Sequence, residues 1–435
     1  MTPIQIVAIV IFIATFVGIL SDKIHRTIVG AVGAVVMVGA GNAMGFYTEK
    51  QALEAVDFNT IGLLLGMMML VGLLEQTGFF QYAAIVAGRW SRGSPWLLMV
   101  TLGTVTTVLS LFLDNVTTVI LIAPITIWIA QALGINPIPL LIANALLSNT
   151  GGVGTLVGDP PNIIIGSAAG FSFNDFLIHT FPIALAAWFV VLLTLRFIFR
   201  KELAVRPQHI DALMDMHAGE ALHDPATLRR ILIVFAIVIF TFFLHNALHL
   251  SPAFVALAGA AAALIWIRPH IDKILETVEW SVLLFFASLF IAVGGLEAAG
   301  ILEAIGESVI GLAQENILLA ALAFLWVGAI ASAIIGNIPF TIALVPVIQR
   351  LGQLGINASP LWWALAFGAG FGGNGFPTGS AANVVTITVS ERTDNPITTK
   401  IWLRSGLIAM LATTAVASGL FVLFFDLFLT PTPTP

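Results

Sequence analysis

Apolar runs of about 20 residues, each the length needed to cross a bilayer, recur along almost the whole of this sequence and leave few folds open to it. One such run would be an anchor on a soluble domain; a series of them makes the membrane the solvent. Between polar breaks the runs fall near 3–20, 27–44, 58–75, 138–170, 177–199, 230–249, 251–267, 279–298, 360–391 and 402–427. Composition agrees. The 435 residues are 59% hydrophobic and 9% charged, against roughly 25% charged in an average soluble domain. The fold class is therefore an all-α polytopic membrane protein. The first run lacks a basic leader and is followed by further spans, so it reads as a retained helix rather than a signal peptide.

Two more apolar stretches, 96–131 and 316–351, do not fit as simple spans. Each is broken at its middle, by Leu113-Asp114-Asn115-Val116 and by Ile335-Gly336-Asn337-Ile338-Pro339. Broken backbone at membrane depth must be shielded by protein or a wet cavity, which suits a re-entrant hairpin with its tip inside the molecule. The basic residues test this layout. With the N-terminus outside and both stretches folded as hairpins, all of the 17 Lys and Arg except Lys50 and Arg350 fall on the cytoplasmic side. That is the asymmetry of the positive-inside rule. It implies a multi-pass protein of the plasma (inner) membrane with both termini outside.

The sequence also repeats itself at an offset of about 222 residues. Glu75 and Gly78 return as Glu297 and Gly300, Asn115 as Asn337, and Pro124 as Pro346. After one deletion, Gly134, Asn136 and Pro139 return as Gly355, Asn357 and Pro360, and Gly158 and Asn162 as Gly379 and Asn383. Because helix 58–75 runs inward and 279–298 outward, the two repeats have inverted topology. Secondary transporters built this way place their site at the midplane, where broken helices from the two halves meet. The expected organisation is N-terminal helices over 1–57, a first repeat over 58–199 with hairpin 96–131 and broken helix 138–170, and a cytoplasmic connector over 200–229. Linking helices over 230–278 lead to a second repeat over 279–427, with hairpin 316–351 and broken helix 360–391. About ten transmembrane helices accompany the two hairpins. The stretches 79–90 and 300–313, after the paired Glu-to-Gly turns, suit interfacial helices.

Four polar interruptions inside apolar sequence are where chemistry concentrates: 114–118, 148–162, 336–341 and 372–383. The candidate solute-binding residues there are Asn115, Thr117, Asn149, Thr155, Asn162, Asn337, Thr341, Asn374, Thr378, Ser380 and Asn383. Kinks or packing glycines would explain one break, but not symmetric pairs loaded with Asn and Thr. Asp114 and Asp159 are the candidate proton-coupling groups, since a charged carboxylate near the bilayer centre costs several kcal/mol unless paired, hydrated or protonated. Asp159 precedes Pro160 and also suits a helix N-cap. Asp114 has no equally obvious capping role, so it is expected to carry the proton. Glu75 and Glu297 read as structural residues of the repeat.

Several classes are excluded. Without cysteine there is no disulfide, thiolate metal ligand or cysteine nucleophile. No His-Glu-x-x-His or His-x-x-x-His spacing and no nucleophile with an evident base appear, so neither an enzyme, a metal site nor a cofactor is expected. A net charge of -6 without a basic stripe argues against nucleic acid.

Asp114-Asn115-Val116-Thr117-Thr118-Val119 with Pro124, Gly151-Gly152 and Gly158-Asp159-Pro160-Pro161-Asn162 resembles the arsenite permease and pink-eyed-dilution (P protein) branch of the ion transporter superfamily. Asn337-Ile338-Pro339-Phe340-Thr341, Gly372-Gly373-Asn374-Gly375 and Ala382-Asn383-Val384-Val385 extend the likeness through the second half. The resemblance implies hairpin tips at Asn115 and Asn337, helix breaks at 149–162 and 374–383, and a homodimer. It also implies proton-coupled efflux of arsenite or antimonite, with sodium/proton antiport or dicarboxylate-like anion carriage as alternatives. Many relatives carry Asp-Asn in the second hairpin, where this chain has Gly336-Asn337, leaving Asp114 and Asp159 as the carboxylates of the four breaks. No Lys or Arg lies in them, which favours a neutral hydroxylated solute such as arsenous acid over a multiply charged anion.

Overall fold

A computed structural model of the chain describes residues 1–21, 23–207, 210–301, 310–311, 313–393 and 396–429. All regular structure among the described residues is helical. Among the described residues nine helices are long and apolar enough to cross a membrane, two of them the hairpin arms Asn115–Ala132 and Ile317–Ile335. Counting each broken helix once, ten elements among the described residues match the expected spans. They are Pro3–Leu20, Arg26–Met44, Phe58–Glu75, Ile138–Gly152 with Pro160–Ala169, Phe181–Ile198, Pro225–Leu244, Pro252–Ile267, Trp280–Ala298, Ser359–Gly372 with Ala381–Ser390, and Thr399–Leu423. The hairpins are Pro95–Ser110 with Asn115–Ala132, and Ile317–Ile335 with Asn337–Gln353.

Local chemistry sets where these helices begin. Thr2 with Gln5 and Thr48 with Gln51 form capping boxes, each satisfying otherwise unpaired backbone donors. Ser94, Asp224 and Ser251 cap helices whose first residue is proline. The Asp224-Pro225 signal starts its helix five positions before the apolar run expected from 230. Large apolar side chains such as Val35, Phe197 and Ile265 are more than 70% exposed, a surface that lipid covers. Buried hydroxyls bond inside their own helices, as Thr106 does to the Leu102 carbonyl (2.8 Å) and Thr126 to that of Ile122 (2.9 Å).

The two halves repeat the same contacts, in keeping with the inverted repeat. The Ser110 hydroxyl donates to the Ser148 carbonyl (2.8 Å), and its counterpart Ser332 donates to the Ala369 carbonyl (2.7 Å). Hairpin and broken helix meet backbone to backbone here. A Cβ on Gly151 would stand 2.9 Å from the Thr107 carbonyl oxygen, and one on the equivalent Gly372 would stand 2.5 Å from that of Ala329. Small residues at such crossings let membrane helices approach closely.

Two details depart from the sequence reading. The last span passes through a π-helical segment, Leu403–Leu407, and ends at Leu423, with Phe425–Leu429 a separate short helix rather than a continuation to 427. The stretch 79–90 is the helix Phe79–Trp90, while most of its expected counterpart, 302–309, lies outside the described residues.

Candidate functional site

Each hairpin tip is a helix start presented to the interior. At the first, Asp114 is the N-cap: its Oδ1 accepts from the Val116 and Thr117 amides (3.0 and 2.9 Å), and its Oδ2 from the Thr117 hydroxyl (2.6 Å). At the second, Gly336 holds φ at +98°, a region open to glycine, and places Asn337 at the first helical position. A Cβ at 336 would have space, its nearest neighbour being Pro339 Cδ at 3.7 Å, but the positive φ would hold any side chain there in a strained backbone conformation.

The breaks of the long helices face these tips. Each is pinned by one asparagine. The Asn162 amide donates to the carbonyls of Gly152, Val153 and Thr155 (3.2, 3.1 and 2.8 Å), and the equivalent Asn383 to those of Gly373 and Phe376 (2.7 and 2.9 Å). These bonds satisfy the carbonyls that a broken helix leaves unpaired.

Between tips and breaks runs one buried network. The Asn115 amide donates to Asn149 Oδ1 (2.9 Å) and, longer, to Asp159 Oδ1 (3.4 Å). The Asn337 amide reaches the same Asp159 oxygen from the other half (3.2 Å). Asn149 donates to Asn374 Oδ1 (3.0 Å) and Asn383 Oδ1 (2.9 Å), and accepts from the Ser380 hydroxyl (3.0 Å). Asn374 in turn donates to the Thr150 hydroxyl (3.2 Å). Asp159 is fully buried, and its Oδ2 has no hydrogen-bond partner among the described residues. Asn162 Oδ1 is likewise without a partner among the described residues, so Asp159 Oδ2 is the acidic member of two unsatisfied oxygens at this break, and each calls for an explanation.

The two carboxylates therefore stand opposite to expectation. Asp159 precedes Pro160 as foreseen, but its side chain makes no cap bond and turns into the network instead. Asp114, expected to lack a capping role, is the cap. The reason is chemical: Pro160 and Pro161 offer no N–H and the Asn162 amide bonds the Asp159 carbonyl (2.9 Å), which leaves the Asp159 carboxylate to the two hairpin asparagines, whereas Asp114 has the Val116 and Thr117 N–H groups within reach.

Three predicted binding residues do not face the network with a free group. The Thr155 hydroxyl donates to the Leu111 carbonyl and accepts from the Gly158 amide (3.1 Å), bracing the turn. Thr341 donates to the Asn337 carbonyl one turn back (2.8 Å), and Thr117 is engaged by Asp114. Thr378 is exposed and lines a cavity of about 90 Å³ with Gly336, Asn337, Gly379, Ser380 and Arg26.

A sequence model of the citrate transporter (CitMHS) family matches residues 16–368. The chain belongs to that family. A 46 kDa membrane protein of Mycobacterium leprae is 38% identical over 95% of this chain and 97% of its own length. The human P protein is 32% identical over 89% of this chain and 56% of the longer relative, which bears out the P protein part of the resemblance. The crystal structure of the YdaH transporter of Alcanivorax borkumensis superposes with a TM-score of 0.57 at 18% identity, over 89% of both chains, and shows the shared fold. This CitMHS chain is thus a multi-pass secondary transporter of the ion transporter superfamily.

Two charged residues of this CitMHS protein escaped the sequence reading. Glu279, the residue before Trp280–Ala298, has its Oε1 3.5 Å from the Thr117 hydroxyl that Asp114 also accepts. Arg26 begins Arg26–Met44, lies 5.5 Å from the centre of the Phe285 ring, and attracts Glu279. Both sit at span ends, where charges ordinarily serve topology. The repeat held one usable signal for Glu279: Asp57 occupies the matching place immediately before Phe58–Glu75. Arg26 lies outside the repeat, and nothing in its neighbourhood of the sequence marks it.

Proposed function

We propose that this transporter exports a small oxyacid, arsenite or antimonite foremost, in exchange for protons. The observation that carries the proposal is Asp159: fully buried, bound through one oxygen by the amides of both hairpin tips, and unpartnered at the other. No cationic side chain bonds it among the described residues, so keeping it charged there costs several kcal/mol. A proton removes that cost. Because the two amides belong to opposite halves, loading or unloading Asp159 changes the contact between the two elements that alternate access would move.

The cavity against Asn337, Thr378 and Ser380 supports a small cargo. At about 90 Å³ it holds a solute of a few heavy atoms, well below the roughly 300 Å³ at which pockets for larger organic ligands begin. Among largely apolar lining residues, the hydroxyls of Thr378 and Ser380 and the Asn337 amide offer the polar contacts that a neutral hydroxylated solute needs. A second reading, carriage of a small carboxylate or other anion, draws on Arg26 at the cavity mouth and on the helix starts at Asn337 and Ala381, whose N–H groups favour negative charge. The family's name points the same way.

Transport into proteoliposomes under an imposed proton gradient separates these readings. Arsenite flux accelerated by the gradient is the expected result. Acceleration of citrate alone would replace it with the anion reading, and sodium-dependent proton movement with antiport. Flux of all three indifferent to the gradient would remove the role assigned to Asp159.

A further inference from the structure

A second cavity lies away from the hairpin tips. It is a cleft of about 790 Å³ between Phe181–Ile198 and Thr399–Leu423, lined by Leu193, Phe197, Arg200, Lys201, Arg404 and Ile408, with the carboxylate residue Glu202 also in its wall. We propose that this cleft binds one acidic phospholipid, phosphate held by Arg200, Lys201 and Arg404, acyl chains against Leu193, Phe197 and Ile408.

Charge and exposure point to that occupant. Arg200, Lys201 and Arg404 make no ion pair with a described residue, Glu202 included. The nearby Arg196 is held apart, its guanidinium 4.8 Å from the centre of the Trp96 ring. Three cations facing one carboxylate leave the cleft positive. Its apolar wall is open to the bilayer: Phe197 is 75% exposed, Leu193 61% and Ile408 47%. A free phosphate would use only the basic end. A phospholipid fills both parts, and basic pockets between membrane helices recognise such head groups. Two arginines suit phosphate oxygens through paired N–H donors.

The cleft also has a route to the transport site. Arg404 lies in the π-helical segment Leu403–Leu407, and the residues two places to either side touch Asn374. The Trp402 indole donates to the Asn374 carbonyl (3.3 Å), and a Cβ on Gly406 would stand 2.4 Å from the same oxygen. Asn374 belongs to the buried network through Asn149 and Thr150. A lipid that fixes Arg404 therefore steadies the break of the second long helix, and its loss is felt there.

Native mass spectrometry and thermal unfolding of the purified full chain, titrated with phosphatidylglycerol in phosphatidylcholine nanodiscs, test this. One phosphatidylglycerol per chain and a raised unfolding temperature are expected. Affinity should fall roughly fivefold for Arg404→Gln and further for Arg200→Gln, Lys201→Gln and Arg404→Gln combined. Arg229→Gln with Arg230→Gln, cations away from the cleft, should bind as the unmodified chain does. Arg404→Gln is the variant that leaves the two loop cations to hold topology, so its result stands even where the triple variant fails to insert. Undiminished binding by Arg404→Gln, equal loss in the Arg229/Arg230 variant, or equal stabilisation by glycerol phosphate without acyl chains would each overturn the proposal.

Discussion

Replacing Asp159 by Asn changes charge while keeping an oxygen at the junction of the two halves. We predict that Asp159→Asn folds close to normally and loses its response to a proton gradient. The Asn oxygen still accepts from Asn337 (now 3.2 Å from Asp159 Oδ1) and from Asn115 (3.4 Å). Bonds to a charged acceptor are worth about 1.5–3 kcal/mol and neutral ones about 0.5–1.5 kcal/mol, so the two amides lose about 1 kcal/mol each. Removal of a buried charge offsets this, leaving a net change of about 1 kcal/mol in either direction. Asp159→Ala differs. Its loss leaves the Asn337 amide, whose one described acceptor is Asp159, buried and unbonded, at about 1–3 kcal/mol. The assay pairs thermal unfolding of the purified variants with solute flux in proteoliposomes, with and without a gradient. An Asp159→Asn carrier that still accelerates fully under the gradient would refute the assignment. Such a carrier alongside an Asp114→Asn variant that no longer responds would move the coupling to Asp114.

Further outcomes follow from other parts of the structure. Asp114→Ala should lose about 0.5–2 kcal/mol of stability as an N-cap is removed, and Asp114→Asn should recover most of it because Asn also caps; equal unfolding temperatures for the two would contradict the capping geometry. Gly151→Ala and Gly372→Ala should each cost about 1–3 kcal/mol by forcing a methyl group against a neighbouring carbonyl, whereas Gly39→Ala, inside Arg26–Met44 with nothing within 4 Å, should be stabilised by up to about 1 kcal/mol through helix propensity. Single cysteines placed at Gly219 and Gln314 of this Cys-free chain should label from opposite sides of the membrane, and labelling from the same side would undo the hairpin layout. Hydrogen bonds from the Thr227 and Ala226 amides hold the exposed Asp224 carboxylate below its usual range. Its contribution is thus present above the unfolded-state pKa and lost as pH falls through the folded one. Asp224→Asn should flatten that acid-side part of the unfolding curve, and an unchanged pH dependence would show that the cap carries none of it.

Much of this protein was written in its linear pattern. Hydropathy marked out the long apolar helices, because lipid forces every spanning segment to satisfy its own backbone. The hairpin arms Asn115–Ala132 and Ile317–Ile335 are as long and apolar as spans, so the polar breaks and the basic residues were needed to set them apart. The repeat paired the tips at Asn115 and Asn337 and the pins at Asn162 and Asn383, since residues that solve the same backbone problem twice recur at the same spacing. The partners of the two aspartates were decided only partly by the chain. Asp114 has N–H groups two and three residues along to cap, whereas Pro160 and Pro161 offer Asp159 none. Only the tertiary structure brings amides from 44 residues before and 178 residues after Asp159 onto its carboxylate. The same holds for Glu279 and Arg26, which look like topology charges until Thr117 and the second hairpin tip are brought beside them. Local preference follows from neighbours in the chain, whereas the partner of a buried charge is fixed by packing among helices that the chain order keeps far apart.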